Sequence, residues 1–156
     1  MILFDIDHFK KVNDSYGHHI GDLLLKEIAE VLQSEIRIVD DIGRLGGDEF
    51  LIIIDCMDTA DISIKLQQII EKFKEPFIIE GNDISIGMSI GAVMCPEDGS
   101  DMTTLRRHVD MAMYQAKHEG RNRVAFFSWH SIAINASKES RHRRRHKPIC
   151  PRFRPT

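Results

Sequence analysis

The chain has 156 residues, 42% of them hydrophobic, with 21 Lys and Arg against 24 Asp and Glu. That is enough for one domain with a buried core and too apolar for a wholly disordered chain, while no apolar run is long enough to span a bilayer and no secretory leader pattern opens the sequence. The formal charge of −3 is unevenly spread: residues 1–128 carry 13 basic and 23 acidic side chains, residues 129–156 carry 8 and 1.

In chain order, residues 2–7 form a short apolar run ending in carboxylates, the pattern of a strand leaving a core. Leu23, Leu24, Ile28, Val31 and Leu32 recur at helical spacing opposite Lys26, Glu27 and Glu30. They predict a helix that starts near Gly21, capped by Asp22, and ends before Asp40. Residues 41–45 and 48–55 flank Gly46 and Gly47, a strong hairpin signal. Ile62, Leu66, Ile69, Ile70 and Phe73 predict a second helix, stopped by Pro76. Residues 77–80 and 84–94 around Gly81 read as a second hairpin. Leu105, Val109, Ala112, Met113 and Ala116 give a third helix closed by Gly120, and residues 124–127 a last strand. The order β-α-β-β-α-β-β-α-β predicts a mixed α/β (α+β) domain over residues 1–128, with helices packed on a mainly antiparallel sheet.

From Trp129 the periodicity stops, and Ser, His, Arg and Pro dominate around a dense basic run over 141–147. Residues 129–156 read as a disordered basic tail. Nucleic-acid binding through it is the rival reading, but the tail offers little aromatic or groove-reading chemistry beyond Phe153. Cys56, Cys95 and Cys150 lie far apart without a Cys-x-x-Cys pair, which favours buried, reduced thiols over a disulfide framework.

Strand alternation puts Asp5 and Asp7 on one face, and Asp48 and Glu49 open a strand after the Gly46–Gly47 turn. If those strands are neighbours, Asp5 and Asp48 can share divalent cations, which hard oxygen ligands and substrate phosphates suit. Carboxylates at strand ends are also commonly plain solvated turn residues. The polar, glycine-punctuated segment of Asn13, Asp14, Gly17, His18, Gly21 and Asp22 shifts the balance, since Asn and Asp match the donors and acceptors of a guanine edge. His8, His18 and His19 lack cysteine partners and the spacing of a zinc cluster; His18 is expected to hydrogen-bond locally and the other two to be solvated.

Five blocks carry a resemblance: FDIDHFKKVND over 4–14, GHHIGD over 17–22, RLGGDEF over 44–50, SIG over 89–91 and AMYQAKHEGRN over 112–122. Their order and spacing are those of the GGDEF domain, the catalytic domain of bacterial diguanylate cyclases, so that residues 2–127 resemble it. The resemblance implies a ferredoxin-like βαββαβ core related to adenylyl cyclases and polymerase palms. It also implies condensation of two GTP into cyclic di-GMP with release of two pyrophosphates, at the interface of a homodimer. Asp5 and Asp48, with the Ile6 carbonyl, resemble the ligands of Mg²⁺ (or Mn²⁺). Asn13 and Asp22 look like the guanine readers, Glu49 like the carboxylate beside the ribose 3′-hydroxyl, and Gly46 and Gly47 like the loop under the phosphates. Lys117 and Arg121, assisted by Lys10, look like the β- and γ-phosphate contacts. Arg37 and Asp40 resemble the inhibitory product-binding RxxD motif, although an i, i+3 Arg–Asp pair is more often a surface salt bridge.

The family usually has a helix and a Leu-Thr-x-Leu-x-Asn-Arg segment before the first strand, which this sequence lacks. An exposed apolar patch, self-association and an abbreviated chain are therefore expected. The family also implies a sensory or other signalling domain in the parent protein, a cytoplasmic location, and no nucleic-acid partner. A catalytically silent module that binds GTP or cyclic di-GMP and regulates a partner is the alternative function.

Overall fold

The computed structural model describes residues 1–37, 40–55 and 57–128. The expected basic tail over 129–156 and the thiols of Cys56 and Cys150 lie outside the described residues. The elements are β1 (Ile2–Asp7), α1 (Phe9–Tyr16), α2 (His18–Glu35), β2 (Asp41–Gly46), β3 (Glu49–Ile53), α3 (Thr59–Lys72), β4 (Phe77–Ile79), β5 (Asn82–Ile84), β6 (Gly87–Ala92), α4 (Met102–His118) and β7 (Val124–Phe126). Five strands form the main sheet in the order β2-β3-β1-β6-β7, and β4 pairs with β5 in a separate ribbon. Every pairing is antiparallel except that of β6 with β7. Strands β2, β3, β1 and β6 with the intervening helices reproduce the expected ferredoxin-like arrangement.

Alternation along the central strand β1 divides the core. Ile2, Phe4 and Ile6 pack with Leu24, Ile28, Leu66 and Ile69 from α2 and α3 on one face. Leu3 packs on the other face with Val109 and Met113 of α4. Asp5 and Asp7 follow Leu3 on that same side, so the apolar contact between β1 and α4 gives way to carboxylates where α4 ends. At Gly91 of β6 the helix lies directly on the strand: a Cβ there would come within 2.5 Å of the Met113 backbone nitrogen and 2.6 Å of the Val109 carbonyl.

Three sequence expectations need correction. The helix expected to start near Gly21 begins at His18, and residues 9–16 before it form a separate helix, α1. That helix buries only Phe9 and Val12, too few residues to show a period. Asp22 consequently sits in the second turn of α2 and does not cap it. The run over 84–94 is two strands: residues 82–84 complete the ribbon with β4, and the chain enters the main sheet at Gly87. Cys95 is exposed in the loop after β6, because the last buried position there is Val93. Among the described residues, no helix is long and apolar enough to cross a membrane.

Candidate functional site

The antiparallel register sets Asp5 opposite Glu49 and brings the turn between β2 and β3 to the end of β1. The Ile6 N–H donates to the Asp48 carbonyl at 3.2 Å. Since N–H and C=O of one strand residue face the same neighbour, the Ile6 carbonyl is directed to that turn as well. Arg44, whose place before the Gly46–Gly47 turn is no sequence signal of a role, donates from Nε and Nη2 to the Gly47 carbonyl at 2.9 and 2.7 Å and braces the turn. Asp5 is buried, and Lys117 Nζ on the last turn of α4 lies 2.6 Å from its Oδ2.

Burial pushes the Asp5 carboxyl above the usual range, the Lys117 ammonium pulls it back, and the charges of Asp48 and Glu49 push it further up. The Lys117 ammonium pairs with Asp5, and the charges of Asp48 and Glu49 are close enough to be felt there. Among the described residues, no group of three or more His, Cys, Asp or Glu side chains forms a metal cage. Two carboxylates and a carbonyl, all hard oxygens, nonetheless fit Mg²⁺, which keeps waters and substrate phosphates as its remaining ligands.

The guanine-reading candidates are neighbours. Asn13 on α1 lies against Gly21 of α2, whose position, given a Cβ, would leave only 1.9 Å to the Asn13 Oδ1. That Oδ1 is buried without a hydrogen-bond partner. Asp22, the next residue, is exposed and lines a cleft of about 480 Å³ with Leu25, Lys26, Ala29, Arg44 and Phe50. Lys10 is exposed on the first turn of α1, and Gly46 and Gly47 are exposed in the turn. A larger cleft of about 660 Å³ runs past His8, Lys11, Lys74 and Arg121. His8 and His19 are exposed, and His19 Nε2 lies 3.3 Å from Glu80 Oε1 at the surface.

Arg37 and Asp40 stand apart from these residues, at the open end of the β2–β3 hairpin. The Asp40 carboxylate, with a side chain 1% exposed, accepts from the Arg37 N–H (2.9 Å), Nε (3.1 Å) and Nη2 (2.8 Å), and from the Asp55 N–H (3.3 Å). Arg37 Nη2 also donates to the Asp55 carbonyl. These bonds outweigh burial and hold the Asp40 carboxyl below the usual range. The pair therefore stabilises the fold above the ordinary carboxylate pKa and loses this effect as pH falls through the lowered value. Arg37→Ala leaves a buried carboxylate short of its partner. The expected cost at neutral pH is about 2–3 kcal/mol, discounted for the half-open guanidinium and shrinking in acid, as read by urea unfolding across pH.

The family model for the diguanylate cyclase GGDEF domain matches residues 1–123. The chain is 40% identical over 139 residues to the bifunctional diguanylate cyclase/cyclic di-GMP phosphodiesterase MucR of Pseudomonas aeruginosa, covering 89% of this chain and 20% of that protein. It is 35% identical to the cyclic di-GMP phosphodiesterase NbdA of the same organism, covering 89% and 18%, and 33% identical to diguanylate cyclase A of Treponema denticola, covering 80% and 34%. The chain thus spans about a fifth to a third of these relatives. Among solved structures, it matches the isolated GGDEF domain of YfiN (TpbB) from Pseudomonas aeruginosa with a TM-score of 0.82 at 31% identity, covering 86% of this chain and 80% of the other. It matches the coiled coil and GGDEF domain of DgcB from Caulobacter crescentus, solved with c-di-GMP, with a TM-score of 0.71 at 27% identity, covering 80% and 67%.

Proposed function

The chain belongs to the GGDEF domain family, and from that premise we propose that it is a diguanylate cyclase domain, joining two GTP into cyclic di-GMP across a pair of protomers. The observation that carries this reading is the meeting of Asp5, Asp48 and Lys117 at one end of β1.

Asp5, Asp48 and the Ile6 carbonyl would hold Mg²⁺. Bound there, Mg²⁺ supplies charge neutralisation for the triphosphate and the leaving pyrophosphate. Lys117 exchanges the Asp5 carboxylate for the β- and γ-phosphates, where Arg121 and Lys10 join it. Asn13 and Asp22 read the guanine: the unpaired Asn13 Oδ1 suits one donor of the guanine edge, and Asp22 accepts from another, the ring N–H and the exocyclic amino group being the two available. The Gly46–Gly47 turn lets the nucleotide approach the backbone. Each ribose 3′-oxygen bonds to the α-phosphorus held by the other protomer, the bridging bond to the β-phosphate breaks, and the 3′-proton passes to Glu49. A lone domain binds GTP and cannot close the ring.

The 1–128 segment carries a net ten negative charges, counted as 13 basic against 23 acidic residues, so attraction of GTP is local. It rests on the cation and on Lys117 with Arg121, because charges beyond about 8–10 Å are screened at physiological salt. Arg37 serves product inhibition, presenting its half-exposed guanidinium to a product phosphate while Asp40 anchors it. In the parent protein a signalling domain controls the pairing of protomers, in the cytoplasm where GTP is found.

The test is incubation with GTP and Mg²⁺, followed by chromatography for cyclic di-GMP, with the rate rising as the square of dilute protein concentration. The similarity to a protein named as a phosphodiesterase supports a second reading, a silent module that binds GTP or cyclic di-GMP. Nucleotide binding without product would select it.

A further inference from the structure

We infer that Asp7 is a positioning residue of the nucleotide site, whose buried carboxylate locks the 120–122 turn onto the ends of β1 and β6 and so aims Arg121; this rests on the GTP reading above. Asp7 is one alternation beyond Asp5 on the α4 face and is 6% exposed. Both of its oxygens are engaged. Oδ1 accepts from the Ser89 hydroxyl at 2.7 Å, and Oδ2 accepts from the Asn122 backbone N–H at 2.9 Å. Arg121 Nε lies 3.9 Å from Oδ1.

The turn so held needs holding. Gly120 (φ 117°), Arg121 (φ 62°) and Asn122 (φ 48°) are three consecutive residues with positive φ, a region that arginine and asparagine enter at a cost. The Arg121 N–H closes back on the Ala116 carbonyl at 3.0 Å, which ends α4, and the Asn122 Oδ1 accepts from the Met88 N–H at 3.4 Å. Gly87 completes the fit, because a Cβ there would stand 3.1 Å from Asp7 Oδ2 and 3.3 Å from the Asn122 side chain. The long contact through Nε steadies the guanidinium, which remains 47% exposed, and leaves its two-pronged end for a phosphate. Asp5 and Asp7 thus divide the work on one strand: the first faces the cation, and the second fixes the arginine that faces the triphosphate.

Equilibrium binding of Mg·GTP to the unmutated chain, Asp7→Ala, Arg121→Ala and the double variant tests this. Because Asp7 acts through Arg121, Asp7→Ala is expected to weaken GTP about tenfold, and the double variant to bind no more weakly than Arg121→Ala alone. Asp7→Asn recovers most of the loss, since the amide oxygen still takes the Asn122 N–H while its NH₂ donates to a reversed Ser89 hydroxyl. Losses that multiply in the double variant, or an Asp7→Ala protein that binds GTP like the unmutated chain, overturn the inference. If Asp7→Ala loses its cooperative unfolding transition, Ser89→Ala replaces it in the same cycle, with about a threefold loss expected and none once Arg121 is gone. An unmutated chain that binds no Mg·GTP contradicts the nucleotide reading itself, which separates the two failures.

Discussion

Asp48→Ala is expected to reduce cyclic di-GMP formation by about a thousandfold or more, equivalent to about 4 kcal/mol of transition-state stabilisation, without disturbing the fold. The two halves of this expectation have different causes. Asp48 sits in the turn between β2 and β3, half-buried, and its known tie to the sheet is a backbone carbonyl that accepts from Ile6 and survives in alanine. Arg44 braces the turn through the Gly47 carbonyl and is likewise untouched. The lost carboxylate also relieves repulsion on Asp5, whose pKa it helps to raise, so the native state does not suffer. The melting temperature is expected to stay within about 2 °C. Chromatography of product and a thermal melt check the pair of statements; a variant that is inactive because it unfolds would remove Asp48 from the site. Asp48→Glu, which keeps the charge on a longer arm, is expected to retain measurable turnover.

The second large effect is on stability. Gly91→Val is expected to cost about 3 kcal/mol or more, because the added carbons meet the backbone of α4 and not a yielding side chain. A Cβ at 2.5 Å from the Met113 nitrogen forces the helix to lift from β6. Met113, Val109 and Ala112 then lose their contacts with Leu3 and Phe127, and Lys117 is carried away from Asp5. Denaturant unfolding measures the loss directly, and an unchanged midpoint would mean that α4 does not sit on Gly91. Activity is expected to fall in parallel, since one helix carries both the packing face and Lys117, the proposed phosphate contact.

Much of this was legible in the sequence where chemistry and spacing coincide. The Gly46–Gly47 hairpin, the central strand ending in carboxylates and the three long amphipathic helices follow from periodicity and glycine placement alone. That β1 and the strand after the Gly46–Gly47 turn are neighbours depends on pairing, which sequence does not specify; the register of β1 with β3 supplies it, and it sets Glu49 opposite Asp5 and leaves Asp48 in the turn instead of opening the strand. Helix α1 was hidden because two buried side chains in eight residues make no period. The break between β5 and β6 was hidden because Ile84, Ile86, Met88 and Ile90 alternate across it without interruption, so only the different partners of the two strands tell them apart. Asp7 looked like a copy of Asp5 by alternation, but its carboxylate is spent on Ser89 and Asn122, residues far along the chain. For Arg37 and Asp40, the i, i+3 spacing correctly signals a pair. That Asp40 is buried and joins the two ends of a hairpin through Asp55 is a tertiary fact.

The most direct measurement is the affinity for GTP with Mg²⁺ and with a chelator, in the unmutated chain and in Asp5→Asn with Asp48→Asn. Binding in the unmutated chain is predicted to weaken roughly a hundredfold, about 2.7 kcal/mol, when the cation is withdrawn, and the doubly substituted chain to show almost no such dependence. Equal affinity with and without chelator, or an undiminished cation effect after both carboxylates are gone, would contradict the account.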